Sequence, residues 1–148
     1  MRRLVFVCSG NICRSPMAAA IASDWLEKRQ KPAAIISCGT LNIMHRPAPK
    51  EGIAVMAERD LDITSHRSQG VSIGLLRMAD SIVVMAPKHE RFILDSAPEL
   101  APKIVRIWQF ATEEIDEIAD PVNQDIEAFR KCRDLLEQTI DSWLSLSA

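Results

Sequence analysis

Val7-Cys8-Ser9-Gly10-Asn11-Ile12-Cys13-Arg14-Ser15-Pro16 joins a short apolar run, Leu4 to Val7, to a segment of helical periodicity, and its reading decides the fold. Five residues separate Cys8 from Arg14. That length lets a loop curl until successive backbone N–H groups face one concavity, with the positive end of the following helix aimed at the same point. Gly10 and Asn11 suit the curl, because glycine carries no Cβ penalty at positive φ and asparagine tolerates the left-handed region. Ser15 is expected to cap the helix and Pro16 to occupy its first turn, where a missing N–H is no loss. Such a concavity, holding a thiol and a guanidinium, is suited to bind phosphate and attack it. A thiol at a helix N-terminus beside a cation ionises more readily than a free one, which makes Cys8 the expected nucleophile. Arg14 presents a planar fork of donors that can grip two phosphoryl oxygens, as the point charge of a lysine cannot. The Ser15 hydroxyl could donate to the sulfur and stabilise it on arrival and departure.

Outward from this stretch, strands and helices alternate, the pattern of a parallel sheet covered by helices. Leu4 to Cys8 carries no polar interruption before its final thiol and is expected to be a strand buried on both sides. Met17, Ala18, Ile21, Ala22 and Trp25 form a helical stripe between Ser15 and about Arg29. Ala33 to Cys38 reads as the second strand, closed by Gly39; a helix follows the prolines at 47 and 49 and runs to Arg59. Leu75 to Ala79 is a helical turn, Ser81 to Met85 the third strand, Lys88 to Ser96 a helix and Ile104 to Trp108 the fourth strand. Phe129, Cys132, Leu136, Ile140 and Trp143 recur at steps of three and four, so a last helix is expected from about Gln124 to Ser145. In an open parallel sheet the ligand site lies beyond the carboxyl ends of the strands at a switch point, and the Cys8 loop follows the first strand there.

A chain of 148 residues, 47% apolar and 26% charged, suits one domain, 1–148, with its own core. Apolar runs such as Ile82 to Ala86 fall far short of a bilayer span, and Arg2-Arg3 ahead of four strongly apolar residues is too brief for a signal peptide, so a cytoplasmic location is expected. A net charge of −2 and a pI near 5.9 argue against a general nucleic-acid binder. The cysteines at 8, 13, 38 and 132 match no zinc-ligand spacing, and no metal is expected. Cys13 either forms a reversible disulfide with Cys8 or fills the loop as a small side chain. Cys38 and Cys132 read as buried apolar residues, and His45 and His89 as exposed ones at a loop and a helix end.

The strand followed by Val7-Cys8-x-Gly10-Asn11-x-Cys13-Arg14-Ser15-Pro16 resembles the signature of the low-molecular-weight protein tyrosine phosphatases, bacterial type. Ser37-Cys38-Gly39-Thr40, Thr64-Ser65-His66-Arg67, Ile82-Val83-Val84-Met85 and Asp120-Pro121 follow in that family's order. The resemblance implies a three-layer α/β fold, flavodoxin-like, with a four-stranded parallel sheet in the order 2-1-3-4 and helices on both faces. It implies hydrolysis of phosphotyrosine monoesters through a cysteinyl-phosphate, without a cofactor, in a monomer or weak dimer. Cys8 would be the nucleophile, Arg14 the phosphate ligand and Asp120 the general acid and base. Ser9, Gly10, Asn11, Ile12, Cys13 and Ser15 would form the phosphate cradle, and His66 with Ser37 would support it through a polar network. Tyrosine-phosphorylated proteins, including a bacterial tyrosine autokinase, are the implied partners.

Some positions depart from the pattern. Val122 and Asn123 stand after Asp120-Pro121 where many members carry aromatics, and the chain has no tyrosine. Ile12 keeps an apolar side chain at the pocket, where threonine would point to the bacterial protein-arginine phosphatases. Leu41, Ile43 and Met44 are candidates for a second apolar wall, and Ala86 replaces a frequent acidic residue. The acidic run from Glu113 to Glu127 reads as a solvated face that would favour basic substrate flanks if it bordered the cleft. Two rivals remain at this point. An arsenate reductase on the same fold would need a further thiol pair, and Ile82 to Ala97 holds none. A phosphoprotein-binding module without turnover is the other.

Overall fold

A computed structural model of the chain describes residues 1–147. In chain order it comprises β1 (Arg2–Cys8), α1 (Arg14–Lys28), β2 (Ala33–Gly39), α2 (Lys50–Ala57), α3 (Ile73–Met78), β3 (Ser81–Val84), α4 (Pro87–Ser96), β4 (Ile104–Arg106) and α5 (Ile126–Ser147). Short 3-10 turns at Pro98–Lys103 and Ile107–Phe110 flank β4.

All four strands are parallel, in the order β2-β1-β3-β4. From β1 the chain crosses to β2 on one side and returns to lay β3 on the other, so the switch point lies between β1 and β3. Their carboxyl ends stay level: Val7 pairs with Val84, and Cys8 pairs with Gly39 of β2. Leu4, Val5, Phe6 and Val7 are all buried although successive side chains point to opposite faces, so the sheet is covered on both sides. Phe6 meets Trp143 of α5 edge to face, centroids 6.5 Å apart, and α1 packs beside α5.

The element boundaries differ from the sequence pattern where a local hydrogen bond or turn outweighs periodicity. β4 stops at Arg106, and Ile107 and Trp108 bury themselves in a 3-10 turn instead. α5 starts at Ile126 because the Asp125 carboxylate accepts the Ala128 N–H at 3.0 Å, while Gln124 donates back to the Asp120 carbonyl. α2 ends at Ala57, two residues early, before a turn that holds Asp60 at φ 60°. α3 starts two residues early, at Ile73, because Ser72 caps it by accepting the Leu75 N–H.

Candidate active site

The loop after β1 curls over the start of α1, and its conformation corrects two expectations. Asn11, at φ 57°, alone takes the left-handed region there, and Gly10 does not. A Cβ on Gly10 would meet only the side chains of Ile12 and Ile43 at ordinary contact distance. The glycine the curl requires is Gly39, on the neighbouring strand: a Cβ there would lie 2.5 Å from the Ser9 carbonyl oxygen and 2.9 Å from the Asn11 nitrogen. β2 and its extension clamp the loop at that close approach, with the Thr40 and Leu41 N–H groups donating to the carbonyls of Cys8 and Ser9.

Ser15 does not cap α1. The helix begins at Arg14 with Cys13 before it and no side-chain cap, which places Ser15 inside the first turn. Its hydroxyl lies 3.0 Å from Cys8 Sγ and accepts from Asn11 Nδ2 at 2.7 Å. With that lone pair taken by the amide, the Ser15 proton is directed at the sulfur. The Asn11 backbone N–H is a second donor to Sγ, at 3.3 Å. Both stabilise negative charge on a sulfur at the N-terminal end of a helix.

Asn11 fixes the loop through all of its side-chain groups. Oδ1 accepts the Gln69 N–H at 2.9 Å, which assigns the amide orientation, and Nδ2 donates to both Ser15 and Ser37. The Asn11 carbonyl accepts from His66 Nε2 at 2.6 Å. Burial, followed by the charge of Arg67 and against the pull of that carbonyl, lowers the pKa of His66 and keeps the ring neutral. His66 and Ser37 therefore contact the loop from behind through Asn11, and neither lines the cleft in front of Cys8.

Arg14 is almost completely buried. Nη1 donates to the Ile118 carbonyl at 2.9 Å, and Nη2 donates to Ser9 Oγ at 3.2 Å and to Asp120 Oδ2 at 3.3 Å. Nε is buried without a protein partner. A buried guanidinium N–H of this kind suits an anion oxygen, the one chemistry a fork already anchored at two corners can still satisfy. Ile118 in turn donates its N–H to the Met85 carbonyl at the end of β3, so one residue ties the Asp120 loop to the sheet and to Arg14. Asp120 is about one-third exposed, and its Oδ1 accepts the Val122 N–H.

These groups surround a cavity of about 100 Å³ lined by Cys8, Ser9, Gly10, Ile12, Cys13, Leu41, Ile43, Asp120 and Val122. Its mouth is aliphatic. Met44, expected on that wall, instead turns its sulfur to accept the Gly70 N–H at 3.3 Å. The acidic run contributes only Asp120 to this cavity; Glu113, Glu114 and Asp116 line a separate surface groove near Trp108, and Glu127 pairs with Arg130. Burial pushes the thiols of Cys13, Cys38 and Cys132 up to about 12. All four cysteines are free and buried.

The largest departure concerns His89. Expected at an exposed helix end, it is fully buried in the first turn of α4, with Nε2 2.9 Å from Ser9 Oγ. Burial first, then the charges of Arg14 and Lys88, push its pKa down to about 3. A signal was available: α4 starts at the carboxyl end of β3, and the first turn of a helix at a switch point faces the crevice. No group of three or more His, Cys, Asp or Glu residues could hold a metal ion among the described residues, and none of their helices is long and apolar enough to cross a membrane.

Residues 3–147 match the family model described as low molecular weight phosphotyrosine protein phosphatase. The chain is 31% identical to a probable low molecular weight protein-tyrosine-phosphatase, EpsP, of Ralstonia nicotianae, over 97% of this chain and 94% of that protein. It is 34% identical to a protein-arginine-phosphatase of Geobacillus stearothermophilus, over 94% of this chain and 91% of that one. The crystal structure of a low molecular weight protein tyrosine phosphatase from T. tengcongensis superimposes with a TM-score of 0.91 at 33% identity, covering 99% of both chains.

Proposed function

Given that the chain belongs to the low molecular weight phosphotyrosine protein phosphatase family of hydrolases, we propose that it hydrolyses phosphotyrosine on proteins with Cys8, Arg14 and Asp120 as its catalytic residues. The observation that carries this reading is a cavity lined by a sulfur held by two donors and by a carboxyl group, backed by the buried Arg14 guanidinium, which bonds the cavity residues Ser9 and Asp120 and keeps an unpartnered Nε–H. Cys8 Sγ attacks the phosphorus in line with the ester oxygen. The S–P bond forms as the P–O bond breaks, and Arg14 follows the equatorial oxygens through Nε and Nη2. An arriving phosphoryl group takes the place of Asp120 on Arg14, and the carboxyl, which enters this step protonated, faces the leaving oxygen and gives it that proton. Water then attacks the cysteinyl-phosphate, Asp120 takes its proton, and the thiolate departs toward the Ser15 hydroxyl. Ser9, Gly10, Asn11, Ile12 and Cys13 complete the cradle, and His66 and Ser37 hold its shape. Cations and aimed donors supply the electrostatic stabilisation, so the chemistry calls for no metal, and chelators should leave turnover intact.

Tyrosine is favoured over serine because Cys8 is only 2% exposed, in a cavity walled by Ile12, Leu41, Ile43 and Val122. A flat ring can fill those walls, and a short seryl stem cannot. The relative named as a protein-arginine-phosphatase supports a second reading, phosphoarginine; Ile12 weighs against it. A tyrosine-phosphorylated protein of the cytoplasm, an autokinase among the candidates, is the proposed partner, and four free thiols suit a reducing compartment. Turnover of phosphotyrosine, phosphoarginine and phosphoserine peptides by the purified protein, with Cys8→Ser as control, tests the proposal. Phosphotyrosine is expected to turn over fastest, with none left in the variant. Faster turnover of phosphoarginine would reassign the substrate, and no turnover of any peptide would favour a binding module.

A further inference from the structure

We propose that His89 is a positioning residue that acts through Ser9: its Nε2–H holds Ser9 Oγ as an acceptor, so that the Ser9 hydroxyl proton is left to donate to the bound phosphoryl group. The inference rests on the phosphatase reading of the cavity.

Ser9 Oγ has two heavy-atom partners, Arg14 Nη2 at 3.2 Å and His89 Nε2 at 2.9 Å. Arginine can only donate, so one lone pair of Ser9 is committed. The imidazole is fully buried, carries one N–H when neutral, and has no partner at Nδ1. Two tautomers are open to it. If the proton is on Nδ1, Ser9 donates to Nε2 and a buried N–H is orphaned. If the proton is on Nε2, His89 donates to Ser9 and the unpartnered atom is a bare lone pair. An unmet buried donor is the rarer and costlier defect, so the Nε2–H tautomer is favoured. Both lone pairs of Ser9 are then filled, and its own proton has neither neighbour to go to. Ser9 lines the cavity beside Cys8 and Asp120, where the phosphoryl oxygens would lie. The same hydroxyl, pinned by His89, also accepts from Arg14 Nη2, so loss of the imidazole would loosen two anion donors at once.

The placement of His89 makes the effect specific. Its backbone belongs to α4, whose first turn follows β3 directly, so it reaches the loop after β1 from across the switch point. It does not touch the loop's other supporting network, in which His66, Ser37 and Gln69 converge on Asn11. The cradle is thus braced from β2 and the following loop through Asn11, and from β3 and α4 through Ser9.

The test combines steady-state kinetics on phosphotyrosine peptide with a tautomer measurement on the intact protein. Ser9→Ala is expected to lower kcat/KM by about a hundredfold, the cost of one aimed donor. His89→Leu should lower it by about tenfold to a hundredfold. His89→Gln, whose amide can place an N–H near the same point, should recover most of that loss, and Ser9→Ala/His89→Leu should be no worse than Ser9→Ala alone. Multiplicative losses in the double variant, or no recovery by His89→Gln, would overturn the proposal. Long-range 15N–1H correlation on the unsubstituted protein should show His89 protonated at Nε2, and protonation at Nδ1 would overturn it even if His89→Leu fails to fold. Inactivity of the unsubstituted enzyme on every phosphopeptide would instead count against the phosphatase reading, leaving the tautomer result to stand by itself.

Discussion

Asn11 concentrates more of the site's organisation than any other residue except Arg14, and it does so with two separable properties. It occupies φ 57°, and its side chain donates to Ser15 and Ser37 while accepting from Gln69. Asn11→Ala removes the hydrogen bonds and strains the backbone, and is expected to cost about 2 to 4 kcal/mol in urea unfolding. Asn11→Gly removes the same bonds but accepts the dihedral, and should recover about 1 kcal/mol of that loss. Equal stabilities for the two variants would show that the left-handed conformation costs alanine nothing here. Both should lose activity, because Ser15 would no longer be aimed at Cys8. Residue types at this scale were readable where chemistry restricts them: a cysteine and an arginine with five residues between them, asparagine in the curl. What sequence could not show was which glycine the loop needs, since Gly39 is required by the close approach of β2 to the loop at Ser9 and Asn11 and not by its own dihedral. Local polarity pointed outward for a histidine flanked by Lys88 and Glu90, and only its place in the first turn after β3, beside the loop that carries Ser9, signalled burial.

Elements were legible where an apolar pattern persists for several turns, and least so at their ends. The stripe along α5 is buried from Phe129 to Trp143, but Arg133 and Thr139 share that buried face, against any reading of polarity as exposure. Arg133 is there to close the C-terminal end of α2: its Nη1 donates to the Val55 carbonyl at 2.9 Å and to Glu58, while Nε and Nη2 reach Asp134. Arg133→Met keeps the apolar stem but orphans a buried carbonyl, and should cost about 2 to 4 kcal/mol by urea unfolding. None of the partners of Arg133 lines the Cys8 cavity, so kcat/KM should stay within about threefold of the parent. A large loss of activity at preserved stability would mean that the seam between α2 and α5 shapes the cradle.

For the molecule as a whole, the loop is held in place by groups that must stay uncharged, and this sets its response to acid. His89 has a folded pKa near 3 against an ordinary value of 6.5, and that of His66 is also lowered. The unfolded chain therefore binds more protons below pH 6.5, so stability is fully present above that value and is lost as pH falls toward 3. The carboxylates held low in the folded state, Glu58, Asp62 and Glu99, begin to act only near 4.5 and below. Between pH 6.5 and 4.5 the two histidines dominate, and His89 alone should contribute a slope of up to about 1.4 kcal/mol per pH unit. Urea unfolding across this window should show that slope, and His89→Gln, which cannot titrate, should flatten it while retaining activity; an unchanged slope would place the acid sensitivity elsewhere. The thiols offer a complementary test. Cys13, Cys38 and Cys132 are held protonated by burial, whereas Cys8 Sγ receives donors from Ser15 and Asn11 at a helix end. Iodoacetamide at pH 8 should therefore add once to the native protein and four times in urea, counted by intact mass. Inorganic phosphate or vanadate should slow only the native adduct, because the proposed anion site lies in front of that one sulfur. Modification of Cys13 ahead of Cys8, or a native adduct indifferent to both anions, would contradict a nucleophile at position 8.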